Sequence, residues 1–257
     1  MRLGIIGLGK MGGNMALRLI GKGHEVVVYD RNPELVSLFA GKGALPSGDI
    51  AEFVSKLSPR RVAWIMVPSG DPVDDTIDKL TKVMEKGDII VDGGNSYYKD
   101  SMARYGKLAA IGISFVDAGT SGGIWGLKEG YCIMAGGDKD AFDFIEPAVS
   151  SLAQDGGYLY TGASGSGHYV KMIHNGIEYG LMEAYAEGFE LLKRSGFELD
   201  LQRVTSLWMH GSVVRSWLLE LIGSALNKDP ELAGIRGYVE DSGEGRWTLI
   251  DAIEKSV

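Results

Sequence analysis

The chain is poor in several residue types that would each have pointed to a function: its 257 residues include one cysteine, four histidines and seven prolines. With Cys132 alone, no intrachain disulfide can form, and a reducing, cytoplasmic setting is the simplest expectation. Basic residues are outnumbered, 26 Lys and Arg against 34 Asp and Glu, for a net charge of −8. That balance lacks the clustered positive charge a nucleic-acid backbone requires, so no nucleic-acid partner is expected. No run approaches the ~18 apolar residues of a membrane span, and the first apolar run, residues 3–6, is too short for a signal peptide. A soluble, unanchored protein is expected.

Glycine is in excess, at 38 of 257 residues, about twice the average share of about 7%. No Gly-X-Y period accompanies it, and 45% of the residues are hydrophobic, which excludes collagen and disordered linkers alike. The glycines therefore serve turns and close backbone approaches. Of the 38, 28 precede residue 168, and the rest of the pattern changes at the same place.

Up to that point apolar strands and helices alternate. Residues 3–6, 26–29, 62–67, 89–91, 115–116, 131–135 and 158–160 read as strands, and residues 11–19, 72–84 and 139–152 as helices. Fully apolar strands separated by helices predict a Rossmann-type, doubly wound α/β sheet, mostly parallel. Cys132 reads as a small buried residue in one of these strands. Beyond Gly167 only helices are expected, over residues 168–194, 201–209 and 212–227. The chain thus divides into a dinucleotide-binding domain, 1–163, and an all-α domain, 164–257.

Three loops and one helix carry chemistry. Gly7-Leu-Gly9-Lys-Met-Gly12 follows the first strand and opens the first helix, the context that the G-x-G-x-x-G fingerprint requires. The second strand ends on Asp30, placed to bind ribose hydroxyls and to repel a 2′-phosphate, which favours NAD. Arg31 follows at once and could clamp that phosphate, so NADP stays open. Asp92-Gly-Gly-Asn-Ser96 and Gly119-Thr-Ser-Gly-Gly-Ile-Trp-Gly126 follow further strands, at the sheet edge where open α/β folds bind ligands. Each could equally be a plain turn, but two such loops beside a nucleotide fingerprint point to a site.

In the long helix, at about 100° per residue, His174, Asn175 and Glu178 fall within about 60° of Lys171. A solvated Lys-to-Glu stripe has the same spacing. Chemistry separates the two. Oxidising a secondary alcohol needs a base for the hydroxyl proton, and a lysine buried beside the cofactor suits that role. A further acid, Glu178, is redundant for hydride transfer alone but useful if an enolic carbon must then be protonated, which points to oxidation coupled to decarboxylation.

These residues resemble the 6-phosphogluconate dehydrogenases of the β-hydroxyacid dehydrogenase superfamily, over nearly the whole chain. The specific stretches are Asp92-Gly-Gly-Asn-Ser96, Ser121-Gly-Gly123 and Lys171-Met-Ile-His-Asn-Gly-Ile-Glu-Tyr179. The resemblance implies Lys171 as general base and then acid, and Glu178 as the acid at the enediol carbon. It implies substrate contacts from Asn95, Ser121, Gly122, Gly123, His174, Asn175 and Tyr179. Cofactor contacts are implied for Gly7, Leu8, Gly9, Lys10, Met11, Gly12, Asp30, Arg31, Val67, Pro68 and Asn95, with no metal. The implied reaction converts 6-phosphogluconate, a small anionic sugar-acid phosphate, to ribulose 5-phosphate and CO2, in a homodimer or higher homo-oligomer.

The chain departs from longer members where they read Lys-Gly-Thr-Gly-Lys-Trp-Thr. Here the stretch is Ser242-Gly-Glu-Gly-Arg-Trp-Thr248, which leaves the substrate phosphate without its usual anchor and Arg246 and Arg215 as the nearest basic candidates. The end at Val257, short of the helices such proteins usually add, reads as a truncation. A non-decarboxylating β-hydroxyacid dehydrogenase and a catalytically silent NAD-binding protein are the alternative readings.

Overall fold

A computed structural model describes residues 1–257. The elements in chain order are β1 (Arg2–Ile6), α1 (Lys10–Gly21), β2 (Glu25–Tyr29), α2 (Pro33–Ala40), β3 (Leu45–Pro46), α3 (Ile50–Ser55), β4 (Val62–Ile65), α4 (Asp71–Leu80), β5 (Ile89–Asp92), α5 (Tyr98–Ala109) and β6 (Ser114–Ser121). After a 3-10 turn (Gly123–Trp125) come α6 (Gly126–Glu129), β7 (Tyr131–Gly137), α7 (Lys139–Leu152), β8 (Ala153–Gly162), α8 (Ser166–Lys193), α9 (Leu201–Trp208), α10 (Trp217–Lys228) and α11 (Glu244–Lys255). The chain divides into two compact units, Met1–Ile173 and His174–Val257, and the division falls inside α8.

In the first unit one eight-stranded sheet runs in the order β3-β2-β1-β4-β5-β6-β7-β8. Every neighbouring pair is parallel except β6 and β7. The doubly wound, mostly parallel sheet read from the sequence is therefore present. Alternate residues of each strand feed opposite cores. Leu3, Ile5, Val26, Val28, Trp64 and Val91 face a core closed by α1, α2 and α7. Ile6, Val27, Ala63, Ile65 and Ile90 face the other, closed by α3, α4 and α5. Burial on both faces is why these strands read as unbroken apolar runs.

Several expectations need correction. Cys132 lies in β7 but is exposed: Tyr131 and Ile133 turn into the core, and the residue between them turns to the opposite face, open at this end of the strand. Helix α10 starts at Trp217, five residues later than expected, because Ser216 accepts from the Leu219 N–H and so sets the cap there. α4 ends at Leu80 instead of residue 84. Helices α2, α3, α5, α6 and α11 and the short strand β3 have no counterpart in the sequence reading.

The second unit is helical, as expected. Gly223 of α10 lies so close to α9 that a Cβ there would come within 2.8 Å of Thr205 Oγ1. The Tyr185 and Ser216 hydroxyls, 2.9 Å apart, join α8 to the start of α10.

Candidate active site

The sheet order reverses between β1 and β4, and ligands of open α/β sheets bind in the crevice at such a switch point, beyond the carboxyl ends of the strands. The loop from β1 to α1 is built for close approach. Gly7, at φ +95°, donates its N–H to Tyr29 O, and a Cβ on it would lie 2.5 Å from Met66 O. A Cβ on Gly12 would lie 2.0 Å from Gly7 O, so only glycine lets α1 begin there. Gly9 differs: a Cβ on it would meet nothing within 4 Å. Gly9 is the N-cap of α1 and no side chain caps that end, which leaves the first-turn N–H groups facing open space. A pyrophosphate fits there, accepting from these groups at the positive end of the helix dipole.

Asp30 is tied into this loop. Its Oδ2 accepts the Leu8 N–H at 2.7 Å and its Oδ1 the Asn32 N–H at 2.8 Å. Each carboxylate oxygen keeps a lone pair for a ribose hydroxyl. Arg31 is exposed beside it, and Val67 and Pro68 follow β4 across the crevice. Lys10 is exposed at the start of α1, with Met11 half-buried behind it. Gly7, Leu8, Gly12, Asp30 and Val67 thus come together at the switch point, and this loop fits a dinucleotide.

The two other glycine loops are stitched together by Asn95. This residue adopts φ +52° and its carboxamide spans to β6: Nδ2 donates to Thr120 O at 3.1 Å, and Oδ1 accepts the Thr120 N–H at 2.8 Å. The loop carrying it is organised by Asp92, which accepts from Gly94 N–H at 3.1 Å and from Ser96 Oγ at 2.8 Å. Half-buried Ser121 follows Thr120, and Gly122 and Gly123 turn the chain at φ +119° and +50°.

Lys171 sits next to this edge. Glycines at 119, 136 and 167 let the first turns of α8 lie directly on β6 and β7: a Cβ on Gly119 would lie 2.4 Å from Lys171 Cβ, and one on Gly167 2.3 Å from Asp117 O. The buried Asp117 carboxylate accepts the Gly165 and His168 N–H groups at 2.7 and 2.9 Å, which caps the helix from the neighbouring strand. His168 Nδ1 is 2.7 Å from Ser101 Oγ. The result is a lysine only 4% exposed, at the end of the sheet that carries Ser121.

In the second unit α8 continues with His174, Asn175, Glu178 and Tyr179. His174 Nδ1 lies 3.0 Å from Asn175 Oδ1 and 3.6 Å from Glu178 Oε2, and Asn175 is buried. Helix α11 packs on this stretch. A Cβ on Gly176 would lie 2.5 Å from Thr248 Cγ2, one on Gly245 2.8 Å from the Tyr179 ring, and Tyr179 OH is 3.3 Å from Ser242 Oγ. The departing segment 242–248 is thereby seated against the functional helix, with Glu244 buried. Of the basic candidates, Arg246 is paired with Asp241 at 2.8 Å and Arg215 is exposed in the link before α10. Sequence reasoning missed Asp117, Arg104 and Thr120, whose roles depend on partners far away in the chain.

A Rossmann unit whose switch-point loop fits a dinucleotide and whose last turns of helix carry a buried lysine, followed along the chain by a helical unit, has the make-up of an NAD-binding oxidoreductase. Residues 2–165 match the model of the NAD binding domain of 6-phosphogluconate dehydrogenase, and residues 167–257 that of the 6-phosphogluconate dehydrogenase C-terminal domain. The chain belongs to the 6-phosphogluconate dehydrogenase family.

Among its relatives, the Bacillus subtilis protein YqeC, provisionally named a 6-phosphogluconate dehydrogenase, is 46% identical over 99% of this chain and 85% of its own length. The NAD(+)-dependent, decarboxylating 6-phosphogluconate dehydrogenase of Haloferax volcanii is 42% identical over 100% of this chain and 86% of its own. The Plasmodium falciparum 6-phosphogluconate dehydrogenase, solved with NADP+ and with 6-phosphogluconate, superposes with a TM-score of 0.91 at 31% identity, and the chain spans 59% of its length. A 3-hydroxyisobutyrate dehydrogenase of Mycobacterium tuberculosis shares the fold, with a TM-score of 0.82 at 22% identity over 100% of this chain and 88% of that one.

Proposed function

We propose that the protein oxidises 6-phosphogluconate at C3 and decarboxylates it to ribulose 5-phosphate and CO2, with NAD as the preferred hydride acceptor. The observation that carries this reading is the burial of Lys171 against Gly119, beside the two loops joined by Asn95. When bound, NAD supplies the acceptor for the C3 hydride. Lys171 enters as the neutral amine and takes the C3 hydroxyl proton as the hydride leaves. As an ammonium it then donates a hydrogen bond to the new C3 carbonyl oxygen and stabilises the charge that develops as the C1–C2 bond of the original acid breaks and CO2 departs. The lysine proton passes to that oxygen to give the enediol. Glu178 protonates the carbon that becomes C1 of the product while Lys171 takes back the hydroxyl proton; Lys171 then releases that proton to solvent and Glu178 regains one from solvent, which returns both groups to their starting states.

Asn95, Ser121, Gly122, Gly123, His174, Asn175 and Tyr179 are proposed to hold the sugar acid. Asp30 is proposed to favour NAD, since its carboxylate would face a 2′-phosphate at close range. The protein supplied with 6-phosphogluconate and NAD should release NADH and CO2 in equal amounts. Turnover of 3-hydroxy acids without CO2, in place of that result, would overturn the reading.

A further inference from the structure

The loop that carries Asn95 is held from behind by a buried charge chain that no step above uses. Asp92 ends β5 and is fully buried, and its Oδ2 accepts from Arg104 Nη1 at 3.2 Å as well as from Ser96. Arg104, on α5, has a side chain only 3% exposed. Its Nε and Nη2 form a fork on the two Asp74 oxygens, at 2.8 and 3.0 Å, and Nη2 also reaches Gly70 O at 3.3 Å. Asp74 is the outward end, with a side chain 48% exposed.

An isolated carboxylate as deeply buried as Asp92 would be costly to keep charged, and Arg104 is the cation that balances it. The charged form matters, because three donors, Gly94 N–H, Ser96 Oγ–H and Arg104 Nη1–H, point at Asp92, and an ionised carboxylate meets them as an acceptor-only group with no proton of its own to place. The bonds from Gly94 and Ser96 set the loop from which Asn95 reaches Thr120. Burial by itself pulls the guanidinium pKa down, but Asp74, Asp92 and Asp100 together hold it above its ordinary value, and the hydrogen bond from Arg104 holds Asp74 below the usual carboxylate range.

We propose that Arg104 is a positioning residue: through Asp92 it fixes the loop of residues 92–96, and so the register between that loop and Thr120-Ser121 on which substrate and cofactor are arranged. A lysine cannot replace it fully, since a point ammonium cannot fork onto Asp74 and reach Asp92 together. The proposal rests on the function given above, and its test has an arm independent of turnover.

Amide hydrogen exchange would be followed in full-length wild type, Arg104→Gln and Arg104→Lys. Arg104→Gln should speed exchange at Gly94 and Thr120 by about tenfold or more, with no change at Gly7, whose N–H is bonded to Tyr29 O on the far side of the crevice. Arg104→Lys should fall between, and it decides the matter if the glutamine variant does not fold. In parallel, kcat/KM for 6-phosphogluconate should drop at least tenfold in Arg104→Gln and recover in part in Arg104→Lys. Exchange unchanged at Gly94 and Thr120, or raised equally at Gly7, would overturn the proposal. A wild-type protein that turns over no 6-phosphogluconate would instead refute the functional reading and leave the exchange result to decide the role of Arg104.

Discussion

Lys171 is legible from the sequence by its place in a motif, but its burial is not, because that depends on Gly119, 52 residues away in the chain and in contact with it through space. Two outcomes follow at this scale. Lys171→Met removes the proposed base and should lower kcat by about 10²–10⁴-fold while KM moves much less, as steady-state kinetics will show. Gly119→Ala leaves Lys171 in place but puts a methyl 2.4 Å from its Cβ. The helix must shift, and overpacking of this kind costs about 1–3 kcal/mol, so both thermal stability and kcat should fall. Asp30 illustrates a different limit of sequence reading. Its spacing after the fingerprint suggests a ribose ligand, yet the structure also makes it the acceptor for Leu8 and Asn32. Asp30→Ala should therefore do more than relax selectivity towards NADP. It should raise KM for both dinucleotides, and a gain for NADP with NAD unaffected would show that the two backbone bonds contribute nothing.

Elements with a strong local signal were readable, and those defined by distant partners were not. The strands β1, β2, β4 and β5 are apolar on both faces, which shows in a few residues of sequence. α3 has only six residues and β3 two, one of them Pro46. α11 begins Glu244-Gly-Arg-Trp, directly after Gly243, so its start looks like a loop until Thr248 and Tyr179 are seen packing against Gly176 and Gly245. The loop at residues 7–12 was legible because its glycine spacing, directly after a strand, is local, although Tyr29, Asp30 and Met66 complete it from farther along the chain. The clamp from Asn95 to Thr120 spans 25 residues, and no periodicity announces it.

The junction between α1 and β2 carries a pH dependence. His24 Nε2 is 2.8 Å from Ser151 Oγ near the end of α7, and burial, then the N-terminal charge, hold its pKa below 6.5. A base with a depressed folded pKa binds protons more readily when unfolded, so the unfolded state is favoured as pH falls. Stability should thus be constant with respect to this group above about pH 6.5 and decline from there down to the lowered folded value. His24→Gln should flatten that part of a denaturant-midpoint profile, and an unchanged slope would remove His24 as its source.

At the scale of the molecule, the helical unit exposes several large apolar side chains. Leu191, Phe197, Leu207, Val213, Val239 and Ile253 are each at least 67% exposed. Single exposed apolar residues need no explanation, whereas a contiguous patch of them marks an interaction surface. No helix in the chain is long and apolar enough to cross a membrane, so a helical bilayer span does not account for this surface. A second copy of the chain is the cover proposed here, since two-fold dimers are the commonest homo-oligomers of soluble proteins. The expected species in solution is a homodimer, with twice the 27.7 kDa mass of the chain, and light scattering on a sizing column would read it directly. Phe197→Asp and Leu207→Asp together place two charges on that surface and should shift the dimer towards monomer at micromolar concentration. The first unit should be unaffected, because its core draws on residues before His174, and NAD affinity should therefore persist in the monomer. Monomeric wild-type protein, or a double variant that remains dimeric, would show that the exposed apolar residues of this unit do not hold two copies together.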